Sequence, residues 1–142
     1  MIEVAAAIIE NEHGQILIAR RKKGKAQEGL WEFPGGKIEN NETVEECLKR
    51  ELLEEMDIQI QPYESFGVND HYYGSTHIRL YAHKAKYVSG ELVLVDHDQC
   101  EWVYSKDLGE YEFAPADVKF VKKLTRNSSV YIITSLKEDN MI

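Results

Sequence analysis

The sequence predicts a single α/β domain in which a mixed β-sheet carries packed helices. Three observations lead there. A chain of 142 residues can close one hydrophobic core but not two. Short apolar, β-branched runs recur between turn-rich segments, and two further stretches place apolar residues at helical spacing. No internal repeat, low-complexity tract or linker divides the chain.

In order along the chain, Val4–Ile9 is an apolar run and Asn11-Glu12-His13-Gly14 supplies turn residues. Gln15–Arg20 then alternates toward Ile16 and Ile18, so the pair reads as a β-hairpin. Arg21–Lys25 is a compact basic loop. Trp31-Glu32-Phe33-Pro34-Gly35-Gly36 sets aromatic residues before a proline and two glycines, a backbone that is irregular and can approach a ligand closely. A helix follows: Thr43 is its predicted N-cap, Glu46 completes a capping box, and no Gly or Pro interrupts the run to Met56. Ile58–Val68 and Thr76–Val88 read as strands joined by Asn69–Gly74, and the apolar run Leu92–Val95 is expected to extend the sheet. Glu101–Tyr104 is the expected last core strand. Pro115–Leu124 is the second helix, with Val118, Val121 and Leu124 on one face, and Val130–Thr134 is a further expected strand.

Charge narrows the possible partners. Twenty-five Asp and Glu against 17 Lys and Arg leave a net charge of −8, which argues against a polynucleotide partner. A small anion would need a divalent cation or a local basic cluster to hold it against that charge. No apolar run is long enough to span a membrane, and Met1-Ile2-Glu3-Val4 lacks the basic start of a signal peptide, so a soluble cytoplasmic protein is expected. Cys47 and Cys100 form no CxxC pair and read as small buried hydrophobes.

The first helix breaks its own pattern. Val44, Cys47 and Leu48 open an apolar stripe whose continuation falls at Glu51, Glu54 and Glu55, three carboxylates within an arc of about 100°. Like charges so placed repel. A solvated acidic face is one reading. The other is a site for a hard cation, Mg²⁺ or Mn²⁺, which takes oxygen ligands and leaves room for phosphate oxygens.

The loop and helix together resemble the Nudix box, G-x5-E-x7-R-E-U-x-E-E-x-G-U with U bulky and aliphatic. Gly36 and Glu42 are followed by Arg50-Glu51-Leu52-Leu53-Glu54-Glu55-Met56-Asp57-Ile58, and only Asp57 departs, standing where the family has Gly. Asp57 is expected to end the helix in a left-handed conformation. Trp31–Gly36 and Phe113-Ala114-Pro115-Ala116-Asp117 are also similar to MutT-type enzymes, so the resemblance spans residues 1–127 and leaves 128–142 as an extension.

The resemblance implies a Nudix α/β/α sandwich, a mixed sheet between helices. It also implies a reaction: Mg²⁺-dependent cleavage of a nucleoside triphosphate by water to the monophosphate and pyrophosphate, with Mn²⁺ as an alternative metal. Glu51, Glu54 and Glu55 would hold the metal, with the Gly35 carbonyl as an extra ligand. Arg50 would orient them, and Glu42 would support the helix. Glu101, beside Trp102, is similar to an additional acidic ligand, with an outward strand residue as the other reading and Asp96 as a weaker substitute. Either Glu51 or Glu101 would take the proton of the attacking water. Arg21 and Lys37 would meet phosphate. Asp117 would read the base or cap the helix it precedes, and Phe33, Tyr72, Tyr73 and His77 are candidates to stack on or bond the base. The Tyr111–Asp117 stretch looks closer to the cytidine triphosphate branch, and oxidised guanine triphosphate is the other expected substrate. A nucleotide sugar, or a sensor that binds without cutting, are the rival readings. A monomer or a homodimer, with no polynucleotide and no membrane partner, completes the expectation.

Overall fold

In the computed structural model, residues 1–126 are described. Among these described residues seven strands form one sheet: β1 (Ile2–Glu10), β2 (Ile16–Arg21), β3 (Trp31–Glu32), β4 (Gly35–Lys37), β5 (Gln59–Tyr73), β6 (Thr76–Ser89) and β7 (His97–Val103). The helix α1 (Val44–Met56) lies between β4 and β5. The helix α2 (118–126) continues from a 3₁₀ turn at Pro115–Asp117. The strand order is β3-β2-β1-β6-β5, with β4 on β1 and β7 on β2. Only β1 and β6 run parallel, from Ile2 opposite Ile78 to Glu10 opposite Lys86; every other pair is antiparallel.

The continuous apolar run of β1 is explained by its central place, since both of its faces are covered. Ala6 and Ile8 pack with Phe120, Val121 and Leu124 of α2. Ala5, Ala7 and Ile9 pack with Leu48, Leu52 and Met56 of α1. The sheet therefore lies between the helices, as expected of the α/β/α sandwich.

Local signals set the ends of α1. Thr43 Oγ1 accepts from the Glu46 N–H at 3.1 Å and Glu46 Oε1 accepts from the Thr43 N–H at 3.0 Å, which forms the expected capping box. At the other end Asp57 is left-handed, with φ 55° and ψ 35°, and the N–H groups of Asp57 and Ile58 bond Leu53 and Leu52 carbonyls at 3.1 and 3.3 Å.

Several expectations change. The buried stripe of α1 does not pass through positions 51, 54 and 55: it runs Leu48, Leu52, Met56, with Glu51 and Glu55 partly buried at its border and Glu54 exposed. Leu92–Val95 is not a strand. Leu92 packs on the α1 side of the core, while Val93, Leu94 and Val95 are exposed and their apolarity does not signal pairing. The Asn69–Gly74 linker is mostly strand, because β5 runs on to Tyr73 and the turn tightens at Gly74, φ 63°. On β5 the Phe66 and Val68 carbonyls accept from Lys123 and Lys119 of α2 at 2.6 and 3.0 Å, and Pro62 offers no N–H, devices that blunt an edge strand. The expected strand at Val130–Thr134 lies outside the described residues.

Candidate active site

The site begins where two glycines let three chain segments touch. β4 lies so close to β1 that a Cβ on Gly35 would stand 1.9 Å from the Ala5 carbonyl oxygen. A Cβ on Gly36 would stand 2.3 Å from Cδ of Glu51 and 2.6 Å from both its oxygens. Glycine at 35 lets β4 lie against β1, and glycine at 36 lets the Glu51 carboxylate press against the backbone. Cys47 fills the space beneath, its thiol facing the Gly36 and Lys37 carbonyls at 3.6 and 3.4 Å. Burial pushes that thiol up to about 12, consistent with an inert packing residue.

Arg50 ties these parts together. Its guanidinium grips Glu42 through Nε at 2.6 Å and Nη2 at 3.0 Å, donates Nη1 to Glu51 at 2.9 Å and to Glu54 at 3.3 Å, and reaches the Lys37 carbonyl at 3.2 Å. The fork geometry of arginine permits this set, which a lysine cannot reproduce. The Arg50 hydrogen bonds hold the Glu42 carboxyl down at about 2, helped by the Glu39 N–H.

The carboxylates of α1 extend into a chain. Burial, then hydrogen bonding with Glu51 and repulsion from Glu51 and Asp96, push the Glu55 carboxyl well above the usual range. Asp96 in turn bonds Glu55 and pairs with Lys25 at 3.3 Å; against the opposing effect of its own burial, these partners keep its carboxyl low. Among the described residues no three acidic, His or Cys side chains already converge on one point as a metal cage. The donor chemistry nonetheless fits a hard divalent cation. Glu51, Glu55 and Asp96 are oxygen donors crowded until one must keep a proton, which is the electrostatic debt a cation relieves. Glu54 is on the same helix, 61% exposed and turned to Arg50.

A cavity of about 480 Å³ opens beside this chain. Glu55, Gly36 and Lys37 line it together with Arg21, Glu32, Phe33, Tyr73 and Asp117. Arg21 donates Nε to the Ala26 carbonyl at 3.0 Å and Nη1 to Glu32 at 3.4 Å. Asp117 is 5% exposed and its Oδ2 accepts from the Phe33 N–H at 3.0 Å, a bond across 84 residues of sequence. Burial first and Glu32 second raise its carboxyl well above the usual value, which favours the protonated form. The helical turn at Pro115–Asp117 has no side-chain cap bond.

Arg21, Phe33, Lys37, Asp117, Gly35 and Glu55 thus share one cavity, with Glu51 beside it. His77, Tyr72 and Glu101 do not join them. His77 stacks on Tyr72, ring centroids 4.6 Å apart, and bonds Asp70 at 2.8 Å; Tyr73 faces the cavity instead. Glu101 pairs with Ile18, which packs on the α2 face of the sheet, and α1 lies on the other. Its oxygens accept from Tyr111 OH at 3.1 Å and Gln99 at 2.9 Å, so it is not brought to the helix carboxylates. Asp96, the weaker candidate in sequence, reaches Glu55. Glu32 and His97 went unselected: nothing local marks them, and their bond of 2.8 Å spans 65 residues.

A family model described as NUDIX domain matches residues 2–124. The chain is 37% identical over 122 residues to the CTP pyrophosphohydrolase of Escherichia coli (strain K12), covering 86% of this chain and 90% of that protein. It is 34% identical over 125 residues to the 8-oxo-dGTP diphosphatase of the same organism, covering 88% and 97%. Among solved structures it is similar to the MutT protein from Methanosarcina mazei Go1, with TM-score 0.79, 27% identity and coverage of 89% and 94%. It is also similar to the E. coli ORF135 protein, with TM-score 0.76, 36% identity and 86% of each chain covered.

Proposed function

Because the chain belongs to the NUDIX domain family, we propose that it is a Mg²⁺-dependent nucleoside triphosphate pyrophosphohydrolase acting on CTP- or dCTP-type or oxidised guanine nucleotides in the cytoplasmic pool. One observation carries this reading. A single cavity of about 480 Å³ is lined by Phe33, Tyr73 and Asp117 together with Glu55 of the α1 carboxylate chain, which supports a ligand that presents a base and phosphates to one site.

Glu51, Glu55 and Asp96, with Glu54, would hold the cation, and the Gly35 carbonyl adds a possible donor. A bound cation would supply water activation and charge neutralisation on the bridging and leaving oxygens. Arg50 holds the carboxylates in register. Arg21 and Lys37 bring positive charge to the phosphates from the cavity wall. Glu51, fixed against Gly36, would accept the proton of the attacking water, and the pairing of Glu101 with Ile18 on the α2 face of the sheet supports Glu51 over Glu101 for this role. Asp117 offers a buried carboxyl to the base.

The test is pyrophosphate release from a panel of ordinary and oxidised nucleoside triphosphates, with and without Mg²⁺ and Mn²⁺, reported as kcat/KM ratios. Metal-dependent release from a cytosine or oxidised guanine triphosphate is expected. Turnover of nucleotide sugars alone moves the protein to that rival class, and binding with no turnover makes it a sensor.

A further inference from the structure

The cavity has one wall whose bonding the reaction does not explain. On β7 the register against β2 sets Glu101 opposite Ile18, Cys100 opposite Ala19 and Gln99 opposite Arg20, then jumps to His97 opposite Arg21. Asp98 is the extra residue of a β-bulge, and it is pinned to Arg20 at 2.7 Å. Strand side chains alternate, so without the bulge His97 would share the face of Gln99 and Glu101. The bulge turns it to the face of Arg21 and, through the pairing of Ala19 with Glu32, of Glu32.

Turned inward, the His97 side chain has no exposure. Its Nε2 lies 2.8 Å from Glu32 Oε2; the carboxylate accepts, so Nε2 carries the proton. Arg21 Nη1 reaches the same oxygen at 3.4 Å. Glu32 remains partly exposed and lines the cavity with Asp117. The other ring nitrogen of His97, Nδ1, is buried with no hydrogen-bond partner among the described residues. An apolar side chain of similar volume would avoid that cost, so packing alone does not account for an imidazole here.

We propose that His97 is a positioning residue for substrate selection: with Arg21 it pins one oxygen of Glu32, leaving the other to meet the nucleobase in the cavity beside Asp117. The claim rests on reading the cavity as a nucleotide site. Glu32 is the group that touches substrate; His97 acts through it.

His97→Leu removes the donor at similar volume, and His97→Gln keeps an amide N–H in its place. His97→Leu is expected to shift the ratio of kcat/KM between CTP and 8-oxo-dGTP by about 10-fold, through KM more than kcat. His97→Gln should hold the ratio within about threefold of wild type. Glu32→Gln should shift the ratio in the same direction, and adding His97→Leu to it should change nothing further. If His97→Leu melts early but keeps the wild-type ratio, His97 is only a core residue and the inference falls. Should the leucine variant not fold, His97→Asn, which keeps polarity with a shorter reach, takes its place in the same comparison. A wild-type protein that cuts no triphosphate defeats the pyrophosphohydrolase reading. His97 is then judged by the Kd of α,β-methylene CTP and dGTP, where unchanged discrimination in the variant, or no binding at all, overturns it.

Discussion

Replacing Gly36 by alanine places a methyl group where the Glu51 carboxylate now rests. The new Cβ would stand 2.3 Å from Glu51 Cδ, and ordinary contact begins at 3.4 Å, so the carboxylate must retreat about 1.1 Å. Glu51 would leave its 2.9 Å bond to Arg50 and its hydrogen bond to Glu55. Misplacing a catalytic group by about 1 Å costs on the order of 100-fold, or about 2.7 kcal/mol of transition-state stabilisation. Stability should change little, because Gly36 is not left-handed and the group displaced is the end of a flexible side chain. Gly35→Ala is the control. Its Cβ meets backbone, the Ala5 oxygen at 1.9 Å and Ala6 Cα at 3.0 Å, in the central strand. Overpacking that cannot relax costs about 3 kcal/mol or more, a fall of about 6–12 °C in Tm. The assay pairs Mg²⁺-dependent pyrophosphate release with thermal melting for both variants. Wild-type kcat/KM in Gly36→Ala would refute the placement of Glu51 in the chemistry, and equal melting losses in the two variants would refute the division between them.

Two more outcomes are expected. Asp96→Asn should lower kcat/KM by about 10- to 100-fold at fixed Mg²⁺, with partial recovery as Mg²⁺ is raised, whereas Glu101→Gln should stay within about threefold; the reverse order would return Glu101 to the metal site. Asp117 has its carboxyl raised by burial and by Glu32, so the folded state binds the proton more tightly than the unfolded chain does. Its contribution to stability is therefore full below the ordinary carboxylate range and lost as pH rises toward the raised folded value. Asp117→Asn keeps an acceptor for the Phe33 N–H without the titration, so its Tm relative to wild type should rise as pH climbs above the ordinary carboxylate range. Parallel melting curves across that climb would remove Asp117 from the list of groups buried as the acid.

The elements that sequence alone made legible are those whose causes are local. The capping box joins Thr43 to Glu46, and the left-handed stop lies at Asp57, both settled within one turn of helix. The two-sided burial of β1 is visible as an unbroken apolar run, and the spacing from Gly36 to Ile58 carries the box on its own. The apolar loop at Val93–Val95 misled for the same reason: hydropathy reports a side chain's preference and not whether a neighbour exists to satisfy it.

The division within the site follows the same line. By itself, sequence determined that a carboxylate helix stands beside a glycine crossing, and so that an acidic protein could hold a phosphate ligand through a divalent cation. Only the tertiary structure decided which acids share that place. Glu101 and Asp96 lie five residues apart on one stretch of chain, yet Glu101 stays on the far face of the sheet while Asp96 reaches Glu55. The bulge at Asp98 turns His97 to Glu32, and a bond across 84 residues buries Asp117 against Phe33. Strand register and face depend on pairing between distant segments, and a single inserted residue reverses them, so no pattern local to the chain contains the answer.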